Sequence, residues 1–161
     1  MFNVLKAYSY YDPELGYTQG LNFIAAMILL KVEDQTLAFV ILIKLLSKEG
    51  WRRFYLGDTP KLFEVSKLIK KFISKHLPKV HKLLKKKKVL LEPLIASAFI
   101  TLFSNLIEIE LATKVMERFM LIGENYIIDT ICEVLFNNAA ELLTIDEDFM
   151  IQKFIGRTMY L

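Results

Sequence analysis

The chain reads as an all-α protein, and three features of its sequence carry that reading. Apolar residues recur at three- and four-residue spacing along most of its length, the period of a helix with one buried side. No convincing run alternates apolar and polar residues in the two-residue period of a strand. Only four prolines and six glycines interrupt 161 residues, and they punctuate the periodic segments at their ends far more than inside them. At this length one domain with a substantial core is expected, with no linker and no solenoid repeat to divide it.

Taken in order, the segments are these. The first helix is expected over residues 1–10, closed by the turn signals Asp12-Pro13 and Gly16. The second covers 18–31, where everything from Leu21 to Leu30 except Asn22 is apolar or small. A third, 34–49, stops at Gly50, and a fourth, 60–76, opens with Thr59 as N-cap and Pro60 in the first turn. Pro78 starts a fifth over 78–88, whose end is the lysine run "KLLKKKK". A sixth over 93–106 again begins with proline, and a seventh over 110–122 ends at Gly123. The eighth, 125–143, carries Cys132 within "IIDTICEVLF", and Asp146 caps a ninth over 147–155. On the apolar sides of these helices, Phe23, Ile24, Ile28, Phe39, Leu42, Phe99, Phe103, Phe119 and Ile131 are expected in the core.

Composition narrows the classes of function. The chain is 54% hydrophobic, with twelve phenylalanines, seven tyrosines and a mean hydropathy of +0.36, high for a small free-standing soluble domain. Part of its apolar surface is therefore expected to be covered by other protein subunits. The charge-free runs 15–30 and 93–107 are shorter than the roughly 20 residues a membrane-spanning helix needs, so they read as core helices. Cys132 is the only cysteine and the start "MFNVLKAY" lacks the pattern of a secretory signal, so a reducing, cytoplasmic compartment is expected. Residues 1–91 carry 17 basic and 7 acidic side chains (+10), and residues 92–161 carry 4 and 11 (−7), which makes the domain electrostatically two-faced. Lys85, Lys86, Lys87 and Lys88 suit a solvated helix end facing the negative dipole pole. They also suit contact with an anionic membrane or an acidic protein surface. Nucleic acid is not an expected partner, because no aromatic residues interleave the lysines.

Intrinsic chemistry finds little support. His76 and His81 do not share a helical face, read as surface residues and have no third histidine to complete a metal site. Cys132 lies on an apolar helix without a nearby histidine, which fits core packing. Asp129 and Glu133 fit an ordinary polar face, and no phosphate-cradling glycine motif occurs. No cofactor or metal is expected.

The stretch "YDPELGYTQGLNFIAA" poses the sharper question, because Gln19 stands where a turn becomes a greasy helix. A glutamine there can hold a water, clamp a backbone, cap the helix or simply face solvent. The longer segment "LKAYSYYDPELGYTQGLNFIAA" resembles the glutamine-finger region of TBC domains, the all-helical family that accelerates GTP hydrolysis by Rab-type small GTPases. The family's Y-x-Q-G motif corresponds to Tyr17, Thr18, Gln19 and Gly20. The likeness continues through "FYLGDTPKLFEVSKLIKKFISKHLPKVHKLL" and "IASAFITLFSNLIEIELATKVMERFML" and covers nearly the whole chain.

The resemblance implies a single multi-helical domain over 1–161, similar to the later two-thirds of a TBC domain, with Gln19 as its catalytic glutamine and Tyr17 and Gly20 shaping the turn. It implies a Rab-type GTPase as partner. Two departures stand out. Ala98 and Met116-Glu117 occupy places where the family often has tryptophan and a "WD" pair. The family's arginine finger lies in an I-x-x-D-x-x-R motif upstream of the glutamine, whereas only eighteen residues precede Gln19 here and none is arginine. Arg52, Arg53, Arg118 and Arg157 match nothing catalytic. The expectation is an N-terminally incomplete domain, with a catalytically inactive TBC-like scaffold or a structural subunit of a larger assembly as the alternative.

Overall fold

Nearly every periodic segment becomes a helix in the computed structural model, which describes residues 1–145. The order is α1 (Phe2–Tyr11), α2 (Leu21–Lys31), α3 (Gln35–Ser47), a 3₁₀ segment (Lys48–Phe54), α4 (Pro60–His76), α5 (Pro78–Lys86), α6 (Glu92–Thr101), α7 (Ile109–Ile122), α8 (Glu124–Asn137) and the short α9 (Ala139–Leu142). No strand occurs among the described residues. The expected cap at Asp146 and the helix over 147–155 lie outside them.

The helices form two groups joined through α6, by α3 against the 3₁₀ segment and by α7 against α8. In one, α2 packs against α1, α3, α6 and α7; in the other, α4 packs against the 3₁₀ segment, α5, α6 and α8. Trp51 lies fully buried near the junction, with ring centroids 4.7 Å from Phe54, 4.2 Å from Phe119 and 5.9 Å from Phe99. Aromatic rings bury the largest area per residue, and Trp51, Phe54, Phe99 and Phe119 are among the largest fully buried side chains of the core. Phe99 and Phe119 are among the expected core residues, whereas Trp51 and Phe54 are not, because "GWRRFY" has no helical period.

Of the expected core, Ile24, Ile28, Leu42, Phe99, Phe103, Phe119 and Ile131 are buried. Each such side chain contributes about 1.5–3 kcal/mol. Phe23 and Phe39 are only half-buried, and Phe39 meets Tyr11 edge-on at 6.0 Å. Helix α2 is apolar nearly all round, so its periodicity does not single out an inward side. Ala98 and Met116 are buried, while Glu117 is exposed and pairs with Lys31 at 3.1 Å.

Several expected boundaries move, each for a local reason. The segment 34–49 ends at Ser47, because Glu49 (φ 52°) and Gly50 (φ 73°) turn the chain into the 3₁₀ segment; Gly50 lies inside that kink rather than closing the helix. Asp34, outside the expected cap list, caps α3 by accepting hydrogen bonds from the Thr36 and Leu37 N–H groups at 2.7 and 2.9 Å. Thr59 does occupy the N-cap position of α4, but in left-handed conformation (φ 43°) and without a capping hydrogen bond from its side chain. The segment 93–106 stops at Thr101, since Leu102 (φ 46°) and Phe103 (φ 65°) adopt left-handed backbone. Both are fully buried, and that burial offsets a left-handed cost of about 1–2 kcal/mol per residue. Helix α5 ends at Lys86, and Lys88 is left-handed (φ 51°). The segment 125–143 breaks after Asn137, where the Asn138 side-chain amide donates to the Val134 carbonyl at 2.8 Å and competes with the helical pattern. Gly123 closes α7 as expected, with φ 102°.

Candidate functional site

The turn that presents Gln19 is built around Asp12, the residue that ends α1. Its carboxylate accepts the Leu15 N–H at 3.2 Å and its carbonyl accepts the Gly16 N–H at 2.8 Å, which folds the Asp12-Pro13 corner locally. The Tyr8 hydroxyl donates to the same carboxylate at 3.1 Å. The distant part comes from the 3₁₀ segment. Arg52 donates through Nε and Nη2 to the two Asp12 oxygens at 2.5 and 2.8 Å, and through Nη2 to Glu14 at 2.6 Å. A bidentate guanidinium–carboxylate pair fixes orientation as well as distance. The Arg52 guanidinium holds the Asp12 carboxyl down to about 2. Burial, with the Asp12 charge beside it, pushes the Tyr8 hydroxyl well above its ordinary range.

The other end of the turn is pinned by Gly20. Its φ of 109° suits glycine, and a Cβ there would lie 2.3 Å from Ile100 Cγ2 and 3.4 Å from Tyr55 Cε1. The backbone thus passes directly against α6 and the residue after the 3₁₀ segment. The Tyr55 hydroxyl donates to the Ile100 carbonyl at 2.7 Å and locks that surface in turn.

Between these anchors Tyr17 and Gln19 are exposed. The Thr18 hydroxyl donates to the Leu15 carbonyl at 3.3 Å, and the Leu21 N–H donates to the Thr18 carbonyl at 3.2 Å, so the backbone on both sides of Gln19 is held. Asn22 reaches back from the first turn of α2: its Oδ1 accepts the Gly20 N–H at 3.2 Å and sits 3.5 Å from the Tyr17 hydroxyl. The Gln19 amide itself has no hydrogen-bond partner among the described residues. It is not a helix cap either, because Gly20 is the N-cap of α2. What remains is a rigidly held backbone carrying one free carboxamide, with a donor and an acceptor both directed at whatever approaches.

Beside it lies an open cavity of about 530 Å³ between α1 and the start of α2, lined by Phe2, Leu5, Lys6, Ser9, Tyr17 and Asn22. Phe2, Tyr10 and Tyr11 are strongly exposed along α1. Sequence reasoning singled out Tyr17, Gln19 and Gly20 but not Arg52, Tyr55 and Asn22, which hold the turn around them. The lone polar Asn22 in an apolar run was the available signal; nothing local marks a clamp formed across 40 residues.

The remaining candidates carry no site. Cys132 is buried, and burial, with the Asp129 carboxylate adding to it, pushes its thiol up to about 11, away from nucleophilic use. Asp129 and Glu133 are exposed on α8. His76 is exposed and stacked on Phe72 at 4.7 Å, while His81 is half-buried instead of lying fully on the surface, because α5 turns one side onto the core. Arg53 pairs with Glu64. Among the described residues no group of three His, Cys, Asp or Glu side chains could hold a metal ion, and no helix is long and apolar enough to cross a membrane.

Comparison with known proteins gives one consistent picture. A family model for the Rab-GTPase-TBC domain matches residues 1–143. The chain is 49% identical over 73 residues to the GTPase-activating protein GYP5 of Eremothecium gossypii, covering 43% of this chain and 9% of that protein. It is 29% identical over 157 residues to the human Ecotropic viral integration site 5 protein homolog (96% of this chain, 19% of that protein). With the Rab GTPase-activating protein eat-17 of Caenorhabditis elegans it shares 27% identity over 154 residues (96% and 17%). The chain therefore spans less than a fifth of the length of each of these three relatives.

Proposed function

The chain belongs to the Rab-GTPase-TBC domain family, and from that premise we propose that it is a GTPase-activating surface for a Rab-type small GTPase, with Gln19 as its glutamine finger. The observation that carries this reading is the free Gln19 carboxamide on a turn whose two ends are held by side chains distant in sequence. Acceleration of GTP hydrolysis needs the attacking water positioned and the charge on the transferring phosphoryl group neutralised. A carboxamide can do the first, because it donates and accepts at once; being neutral, it cannot do the second. Tyr17 and Gly20 set the turn, Gly20 by its backbone and Tyr17 beside Asn22.

Neutralisation needs a cation, and the arginines nearest the turn are occupied: Arg52 holds Asp12 and Glu14, and Arg53 pairs with Glu64. The arginine that the resemblance places upstream is a separate contribution, worth roughly 10³ to 10⁵ in rate. The exposed Phe2 and Tyr17 at the neighbouring cavity, with Tyr10 and Tyr11 exposed elsewhere on α1, offer apolar surface to protein partners, the GTPase or other subunits. The role belongs to the cytoplasm, in vesicle trafficking.

Single-turnover GTP hydrolysis by Rab-type GTPases tests this, with the 161 residues alone and with a polypeptide carrying the upstream arginine motif added in cis or in trans. Alone, the chain is expected to accelerate hydrolysis little; with the arginine supplied, activation should appear. Gln19→Ala should then lower it roughly 100-fold, on the scale of losing one preorganised polar group, while Lys86→Ala leaves it unchanged. An unchanged rate in a Gln19→Ala protein that melts like the parent would overturn the glutamine-finger role and favour the scaffold reading.

A further inference from the structure

Residues 65–91 contain ten lysines, two histidines and no acidic residue. The fold turns this run into a hairpin, because Pro78 opens α5 directly after α4 ends at His76 and the two helices pack together. On α4 the apolar positions Val65, Ile69 and Ile73 face the core, and Lys67, Lys71 and Lys75, spaced by four, form the exposed stripe opposite. On α5, Val80 is buried and Leu83 and Leu84 pack on the core, leaving Lys79, Lys82 and Lys86 exposed along the outer side. Neighbouring cations are handled differently: Lys70 is paired with Glu92, Lys61 with Glu124, and Arg53 with Glu64. None of the six stripe lysines has an ion-pair partner among the described residues.

We propose that the exposed lysines of the α4–α5 hairpin form an electrostatic docking surface for an anionic lipid bilayer. Three features favour a bilayer over other polyanions. The segment contains lysine and no arginine, and the compact ammonium suits a diffuse field of headgroups, whereas arginine suits bidentate capture of individual phosphates or carboxylates. Exposed Leu68 on α4 and Leu90 just beyond α5 flank the lysines and can enter the headgroup boundary, as apolar side chains do at interfacial helices. No tyrosine or tryptophan stands among the stripe lysines, and Phe72 and His76 stack on each other at 4.7 Å instead of standing free for bases. The main packing of the hairpin is on the 3₁₀ segment, α6 and α8, whereas the Gln19 turn lies between α1 and α2. The proposal does not depend on the role of Gln19.

The test is co-sedimentation of the full chain with phosphatidylcholine vesicles, with and without about 30% phosphatidylserine, at low and high salt. Binding is expected only to the anionic vesicles and should weaken as salt rises. The variant Lys71→Glu/Lys75→Glu/Lys82→Glu/Lys86→Glu should lose on the order of 100-fold or more in partitioning, and the matching glutamine variant should lose less, each with the parent's melting temperature. Equal binding to neutral vesicles, or unchanged binding of both variants, overturns the proposal. So does tighter salt-sensitive binding to polyglutamate or duplex DNA than to the anionic vesicles.

Discussion

The Gln19 turn and the lysine hairpin are both exposed, and they are built in opposite ways. The turn has few charges, and those are neutralised in fixed geometry: Asp12 receives Arg52, Tyr8 and the Leu15 N–H, while Gly20 presses against Ile100. The hairpin carries many charges of one sign in no fixed pairing, spread along two helices whose inner sides alone are packed. Presenting one side chain at a set position requires tertiary anchors at both ends of a short loop. Presenting a field requires only a helical period and enough lysines. The two surfaces should therefore fail differently when altered.

The largest effect is expected at Gly20→Ala. A methyl group must enter space held by Ile100 while the backbone stays at φ 109°, so strain and overpacking combine to a loss of about 2–4 kcal/mol in denaturant unfolding. A loss below about 0.5 kcal/mol would mean that the turn is not pinned there.

Next comes Arg52→Ala, which strands the largely buried Asp12 carboxylate and should cost about 1–3 kcal/mol, with loss of any Gln19-dependent activity before loss of fold. The same pair sets a pH dependence. Because the folded Asp12 pKa lies below its ordinary value of 3.8, its contribution to stability is present above that pH and disappears as pH falls toward about 2. Unfolding curves over that window should show the loss in the parent and not in Asp12→Asn.

Smaller still is Gln19→Ala, expected to change stability by less than about 0.5 kcal/mol, since the exposed amide holds nothing in place. Its effect belongs in the GTPase assay alone, and a large thermal shift would show that the side chain is structural.

At the hairpin, Lys71→Glu should move stability by at most about 0.5 kcal/mol, and upward if at all, because it relieves like-charge crowding. Thr59→Gly at the start of α4 should be neutral or stabilising by a few tenths of a kcal/mol: Thr59 sits at φ 43° with no capping bond to lose. A clear destabilisation would restore the side-chain cap that the sequence suggests.

Sequence alone determined the all-helical class, the start of α4 and α5 at Pro60 and Pro78, the end of α7 at Gly123, and the glutamine motif itself, because these follow from period, proline and glycine within one or two turns of chain. Only the tertiary structure decided where apolar periodicity gives way. Leu102 and Phe103 leave the helix because two buried side chains outweigh left-handed strain, and Trp51 becomes a core centre in a segment with no period at all. It also decided that Gln19 is free and Arg52 is not. Arg52 reaches Asp12 across 40 positions and Glu14 across 38, and no local pattern of side chains records which distant atoms the packed core will bring within hydrogen-bond reach.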